Sequence, residues 1–248
     1  MLKLMKYEIR KTMFTKLIIL GVTALVEAIY LIALFTDAED TLTMTIGLLV
    51  MLAFGSVMVI GLESVITLHR DMNTKQSYML FMTPHSSYTI LGAKVLENGL
   101  SILLTGAFFF ALGMLDVSLL FAKQGQLNQI WEMFQSFIQR INEEITLTST
   151  SMAALFFNLL AGWICTVTTA YLADVVSCAL LNGKKMNGAV SFVLFLALSY
   201  GTAKLASLLV GGLSTYEARF LADGLISLVF AAVMYVVTAQ IMERRLSV

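Results

Sequence analysis

Six blocks of continuous apolar sequence limit the possible folds of this chain more than any other feature. They cover residues 17–35, 43–68, 95–121, 152–181, 188–210 and 222–241. A helix needs about 20 mainly apolar residues to cross a bilayer, whereas a membrane β-barrel needs alternating strands of about ten residues. The blocks therefore predict an all-α membrane protein with six transmembrane helices, organised as one membrane domain over residues 1–248.

Composition argues against the main classes of water-soluble protein. Hydrophobic residues make up 58% of the chain and charged residues 13%, whereas soluble domains carry about 25% charged residues. So few charges cannot cover a surface that faces water. The balanced net charge also gives no attraction to nucleic acid, so no nucleic-acid partner is expected.

The basic residues predict the orientation of the chain in the membrane. Loops that face the cytoplasm carry an excess of Lys and Arg. One side would carry Lys3, Lys6, Arg10, Lys11, Lys16, Arg70, Lys75, Lys94, Lys184, Lys185, Arg244 and Arg245, and the other side only Lys123, Arg140 and Arg219. This asymmetry places both termini in the cytoplasm.

Residues 1–16 have the pattern of a basic amphipathic helix. Leu2, Met5, Ile9 and Met13 share one stripe, and the cations Lys3, Lys6, Arg10 and Lys11 lie at its edge or elsewhere. Such a helix can lie in the inner membrane interface with its cations on anionic headgroups. An ordinary basic flank before the first span is the alternative.

The cytoplasmic loop between the second and third blocks contains a short predicted helix. Asn73 or Thr74 can cap it, Pro84 ends it, and Ser86 or Ser87 can cap the helix of the third span. Residues 74–82, here called the coupling segment, carry five consecutive large apolar side chains from Tyr78 to Met82. Such a patch needs a cover, either a partner protein or the chain's own spans and the lipid.

A second amphipathic helix is predicted over residues 126–146, on the outer side. Its apolar face comprises Leu127, Ile130, Trp131, Phe134, Phe137, Ile138, Ile141 and Ile145. The segment is too polar to span a membrane. It is expected to anchor on the outer leaflet or to shape an exit.

Catalytic motifs and metal-binding motifs are missing from the sequence. There is no phosphate-binding loop, no nucleophile elbow and no His or Cys spacing typical of zinc. Cys165 and Cys178 are interpreted as small buried apolar residues. The sequence thus predicts no catalytic residue, no metal ligand and no cofactor in this chain.

Ionisable residues inside the apolar blocks are the candidates for a transport pathway. Glu27 lies near the middle of the first block, without a basic residue at matching depth, and is expected to be hydrated or protonated in the bundle interior or a dimer cavity. Glu63 and Asp174 lie near the cytoplasmic ends of their blocks, as does Glu97. Salt bridges to Arg70, Lys94 or Lys184 are the alternative role for these three.

Two segments resemble the permease subunits of ABC-2 type transporters, the type V ATP-driven exporters. They are residues 6–16, KYEIRKTMFTK, and the run Arg70-Asp71, Tyr78-Met79-Leu80, Thr83-Pro84 and Ile90-Leu91-Gly92-Ala93-Lys94 within residues 70–94. The resemblance covers nearly the whole chain. The predicted outer helix is longer than the minimal family pattern.

The resemblance implies a split transporter in the bacterial plasma membrane. Two permeases, copies or paralogues, would pair in the lipid, and each would bind a separate ABC ATP-binding subunit that holds the ATP and Mg²⁺. The docking residues would be Lys75, Tyr78, Met79, Leu80, Phe81 and Met82, and residues 2–16 would form the family's connecting helix. An amphipathic peptide, a drug or a lipid-like compound is the expected cargo.

Two other functions are compatible with the residues alone. One is an intramembrane enzyme that uses Glu27, Glu63 or Asp174. The other is a membrane scaffold or sensor accessory that transports nothing.

Overall fold

All six predicted membrane helices are present in the structure. The computed structural model describes residues 2–73, 86–123, 132, 135–136, 139, 149–181, 187–213 and 215–246. Within these ranges the chain forms six long helices and no strand: α1 (Leu2–Thr36), α2 (Glu39–Asn73), α3 (Ser87–Lys123), α4 (Ser149–Leu181), α5 (Asn187–Val210) and α6 (Tyr216–Leu246). Each is long and apolar enough to cross a bilayer. The protein thus has the architecture of a multi-pass membrane protein.

The first helix differs from the prediction. No separate interfacial helix precedes the first span, because α1 runs without a break through residue 16. Its buried positions in this stretch are Glu8 and Thr12, whereas Met13 of the predicted apolar stripe is exposed. The physical reason lies in the sequence, which has no proline or glycine before Gly21 to end the helix.

Local backbone chemistry sets two of the helix boundaries. Asp37 adopts a left-handed conformation with φ 56°, and the Ala38 N–H donates to the Ala33 carbonyl, which closes the end of α1. At the start of α3, the Ser86 hydroxyl accepts a hydrogen bond from the Thr89 N–H at 3.4 Å. This confirms the predicted cap of the third span.

The described residues group into two compact units, and α2 and α3 contribute to both. Unit 1 comprises the described residues within Met1–Met5, Ser64–Gly99 and Ile145–Val248. Unit 2 comprises the described residues within Lys6–Glu63 and Leu100–Glu144. In unit 1, α4 packs against α5 and α6, and 56% of its most apolar window is buried. The core of this unit consists of Leu68, Leu91, Val167, Tyr171, Val175 and Met242. Helix α4 is therefore the central element of unit 1.

The core of unit 2 is smaller. Tyr30, Leu34 and Leu49 are its buried residues, and partly buried side chains such as Leu112 pack against them. Large apolar side chains elsewhere point outward, among them Phe35 at 75% and Phe110 at 72% exposure. A soluble protein would not leave so many aromatic side chains uncovered. Their exposure fits a multi-pass membrane protein, in which lipid would cover them.

Two predicted segments lie largely outside the described residues. The coupling segment, residues 74–82, is one of them. Of the predicted outer helix, only Glu132, Gln135, Ser136 and Gln139 are described, and these residues are helical and exposed. All four belong to the polar side of that predicted helix.

Candidate functional site

A buried ion pair joins the ends of the two helices that flank residues 74–85. Lys94 Nζ on α3 donates to Asp71 Oδ2 on α2 at 2.8 Å. The Lys94 side chain is 2% exposed and the Asp71 side chain 6%. Buried charges are strongly unfavourable unless they are paired. The pair therefore holds the end of α2 to the beginning of α3.

Polar contacts from α4 and α6 fix the same region of unit 1. The Ser64 and Tyr171 hydroxyls are hydrogen-bonded to each other in the core, which ties α2 to α4. The Tyr235 hydroxyl on α6 donates to the Tyr88 carbonyl at 2.5 Å, and the two tyrosine rings lie 6.2 Å apart. Four helices thus meet around the Asp71–Lys94 pair in one packed region.

Asp174, a predicted pathway residue, lies in a cluster with a histidine and a cysteine. The Asp174 Oδ1 and His69 Nδ1 atoms are 2.6 Å apart, and the Cys178 Sγ atom is 3.9 Å from the same nitrogen. Asn187 Nδ2 donates to Cys178 Sγ at 3.0 Å. The sequence motifs indicated neither His69 nor Cys178. Packing of α2 against α4 brings them together.

The geometry of this cluster differs from that of a catalytic triad. In a triad the nucleophile contacts one nitrogen of the histidine ring and the carboxylate contacts the other. Here Asp174 and Cys178 both approach Nδ1. The three side chains therefore converge on a single point instead of forming a chain for proton transfer.

Glu27, the central predicted pathway residue, faces a second carboxyl group in unit 2. Its side chain on α1 interacts directly with Asp116 on α3. Glu27 Oε2 is buried without a hydrogen-bond partner among the described residues. Neither carboxyl forms an ion pair with a basic side chain of the described part of the chain. Two neighbouring carboxylates repel each other in apolar surroundings, so a shared proton or a bound cation would stabilise the pair.

Asp116 also belongs to the wall of a cavity. This cavity in unit 2 has a volume of about 200 Å³ and a mainly apolar lining that includes Tyr30 and Asp116. The Tyr30 hydroxyl donates to the Asp116 backbone carbonyl at 2.8 Å, which fixes α1 against α3. Asp116 is thus positioned at the edge of a mainly apolar cavity.

Glu63, the third predicted pathway residue, has a different environment. Its Oε1 atom accepts a hydrogen bond from the Thr15 hydroxyl at 2.5 Å, which joins α2 to α1. Glu27 and Glu63 therefore interact with different partners within unit 2. The structure does not bring them together as a carboxylate dyad.

Unit 1 contains a larger cavity with polar walls that the sequence did not indicate. Its volume is about 650 Å³, and α4, α5 and α6 line it with residues that include Thr166, Thr202, Arg219 and Asp223. Asn158 Nδ2 donates to Asp223 Oδ2 at 3.0 Å and fixes that carboxyl group. The one signal for this cavity in the sequence was Asp223, an acidic residue near the start of the apolar block 222–241.

The remaining predicted site residues are partly described. Lys6 and Arg10 on α1 are exposed, Lys11 is half-buried, and Lys3 lies on the same helix. The predicted docking residues lie outside the described residues: Lys75, Tyr78, Met79, Leu80, Phe81 and Met82. Their role stays a prediction.

Comparison with known proteins adds no family to these observations. No protein-family model, no curated protein and no solved structure matches this chain. The function must therefore be argued from the helices, the Asp71–Lys94 pair and the carboxyl pair of unit 2.

Proposed function

We propose that this chain is the membrane-spanning subunit of an ATP-driven ABC exporter. It would work in the bacterial plasma membrane, with both termini in the cytoplasm, beside a second copy or a paralogue. A separate ATP-binding subunit would supply the energy, since this sequence contains no phosphate-binding loop. The cargo would be an amphipathic peptide, a drug or a lipid-like compound.

The observation that carries the proposal is the buried pair between Asp71 and Lys94. It joins the last turn of α2 to a position about two turns into α3, on either side of the coupling segment. A docked ATP-binding subunit needs such a connection. If the two helices that flank the coupling segment could separate, movement of the segment would not be transmitted to the membrane helices. Both residues also belong to the run that resembles the ABC-2 permeases.

The proposed mechanism begins with closure of the ATP-binding subunits on ATP. Their movement would push the coupling segment, and the Asp71–Lys94 pair would pass this force to α2 and α3 together. Both helices contribute residues to unit 1 and to unit 2. Their tilt would switch a cavity between paired permeases from inner to outer access.

The carboxyl pair of Glu27 and Asp116 would serve the transport pathway. A carboxyl group in the middle of a membrane span is unfavourable, and such residues face the bundle interior or a wet cavity. Asp116 lines the 200 Å³ cavity, whose walls are otherwise mainly apolar. A site with one polar edge and apolar walls suits an amphipathic cargo better than an ion or a sugar.

Purification of the chain with its partners tests this proposal. The tagged full-length chain is expressed in its native host, extracted in mild detergent before and after chemical cross-linking, and its companions are identified by mass spectrometry. We expect a companion with a G-x-x-x-x-G-K-[ST] loop in roughly equimolar amount. Recovery of the chain without any such companion under both conditions would contradict the proposal.

A further inference from the structure

We propose that His69, Asp174 and Cys178 form a binding site for Zn²⁺ that clips α2 to α4 in unit 1. The inference concerns residues that the proposed transport mechanism does not use, although Asp174 was a predicted pathway residue. It does not depend on the exporter proposal, because metal binding can be measured on the chain alone.

The donor atoms are of the right kind. Zinc in proteins is bound by cysteine sulfur, histidine nitrogen and carboxylate oxygen, and this cluster offers one of each. Their softness favours zinc or cobalt over magnesium and calcium, which prefer oxygen ligands alone. The three residues come from two helices, so a bound ion would cross-link them.

The donor atoms are also close enough. All three lie within 4.8 Å of one another. Ligand atoms on one tetrahedral zinc lie roughly 3.3–3.6 Å apart, given bond lengths of about 2.0–2.3 Å. The 2.6 Å separation between His69 Nδ1 and Asp174 Oδ1 must widen slightly, and the 3.9 Å separation between Nδ1 and Cys178 Sγ must shorten.

Hydrogen bonds hold Cys178 in position within the cluster. Asn187 Nδ2 donates to Cys178 Sγ at 3.0 Å, and the Ser177 hydroxyl donates to the Asn187 carbonyl at 2.7 Å. Contacts of this type around a metal site orient the ligands. These contacts arrange Cys178 as a ligand, whereas a cysteine that only fills space needs no such donor.

The strongest sign of a missing partner is the second oxygen of Asp174. The Asp174 side chain is 2% exposed. Its Oδ2 atom is buried and accepts no hydrogen bond of ordinary geometry from the described residues, although the Ser191 side chain interacts with the same carboxyl group. A buried carboxylate oxygen without a partner is unfavourable. A metal ion bound by this carboxyl group would remove that penalty.

The site is reachable by an ion. The His69 side chain is 33% exposed, whereas Asp174 is almost fully buried. An ion can therefore enter beside the histidine ring and meet the carboxylate and the sulfur deeper in the unit. Three protein ligands leave the fourth position of a tetrahedral site for water.

Metal content of the purified chain tests the site. The full-length chain is purified on a tag without histidine, loaded with ZnCl₂ or CoCl₂, desalted and analysed by elemental mass spectrometry and by absorption. We expect one equivalent of metal. With cobalt we expect a sulfur-to-metal charge-transfer band, which reports directly on a cysteine ligand.

Variants show which residues bind the metal. Cys178→Ser and His69→Gln should lose the metal, and Cys178→Ser should lose the charge-transfer band. Cys165→Ser is the matched control, because Cys165 is the other cysteine of α4 and lies outside the cluster. Asn187→Ala should weaken the affinity about tenfold or more, as expected for loss of a contact to a metal ligand.

Two results would overturn the proposal. One is a folded wild-type chain, monodisperse in size-exclusion chromatography, that retains no metal after loading. The other is equal metal content and an equal cobalt spectrum in wild type, Cys178→Ser and His69→Gln. If a variant does not fold, the cobalt spectrum of the wild type alone decides, since a spectrum without a sulfur band excludes Cys178 as a ligand.

Discussion

Lys94 and Asp71 form a buried ion pair across 2.8 Å between α3 and α2. Burial of this kind makes the pair sensitive to removal of one partner, because the other buried charge then loses its ion-pair contact. The pair lies where the chain enters and leaves the coupling segment. Its loss should therefore affect stability and, on the proposed mechanism, coupling to ATP hydrolysis.

Replacing Lys94 tests how far the structure depends on this pair. Lys94→Met keeps a similar volume but leaves the Asp71 carboxylate buried, so the free energy of unfolding should fall by about 3–5 kcal/mol. The double variant Asp71→Asn with Lys94→Met should recover much of this loss. Thermal unfolding in detergent measures both changes.

The control for this experiment is Lys204→Met, since Lys204 on α5 is exposed. Its unfolding temperature should stay near that of the wild type. An equal unfolding temperature for Lys94→Met and wild type would show that the pair does not stabilise the fold.

Glu27→Gln removes a charge from the carboxyl pair while keeping its shape. The glutamine amide can donate to Asp116, so the variant should be expressed and folded as well as the wild type. Export should nevertheless fall or change its cargo preference, because only one ionisable carboxyl group remains in the pair. Export assays with several amphipathic cargos measure this effect.

The matched control for the carboxyl pair is Glu39→Gln, an exposed acidic residue in the first turn of α2. It should transport normally. Wild-type export by Glu27→Gln with every cargo would remove the pair from the transport pathway.

Gly224 lies at a close approach of α6 to α4. A Cβ atom there would lie 2.7 Å from Phe157 Cε1 and 3.3 Å from Asn158 Cα. Gly224→Ala should therefore lower the free energy of unfolding by about 1–3 kcal/mol through overpacking. Gly201→Ala, on α5 with no atom within 4 Å of the added carbon, is the control.

The control should be neutral or slightly stabilising, since alanine favours a helix over glycine. Chemical or thermal unfolding of both variants in the same detergent gives the comparison. Equal stability of the two variants would show that α4 and α6 pack more loosely than described.

Cysteine labelling tests the proposed orientation. In a background with Cys165 and Cys178 replaced by Ala, single cysteines at Glu39, Ser136 and Ser214 should react with an impermeant thiol reagent added to intact cells. Cysteines at Thr74 and Asn182 should react only after the membrane is opened. Labelling of Thr74 from outside would reverse the orientation.

The sequence predicted the membrane helices because each span is a continuous run of apolar residues, which can be recognised without knowledge of the packing. Each apolar block lies within one helix of the structure, and the cap at Ser86 was also readable. The separate interfacial helix is not confirmed, because amphipathic periodicity does not say where a helix ends. Without a proline or glycine before Gly21, α1 simply continues.

Partners across helices could not be predicted in the same way. Glu27 was identified from its depth in an apolar block, but Asp116 as its neighbour depends on how α1 packs on α3. Asp174 and Cys178 lie one turn apart on α4, a spacing visible in the sequence. His69 comes from another helix, and no local pattern joins it to them.

The most direct test of the central claim is recovery of the ATP-binding subunit with a docking variant. Tyr78→Ala with Phe81→Ala removes two apolar side chains of the coupling segment, each worth about 1–3 kcal/mol at the core of an interface. The control, Tyr200→Ala with Phe192→Ala, removes the same side-chain types from exposed positions of α5. We predict that wild type and control carry the ATP-binding subunit and that the docking variant, although inserted in the membrane, loses most of it. Equal recovery with all three proteins would contradict the account.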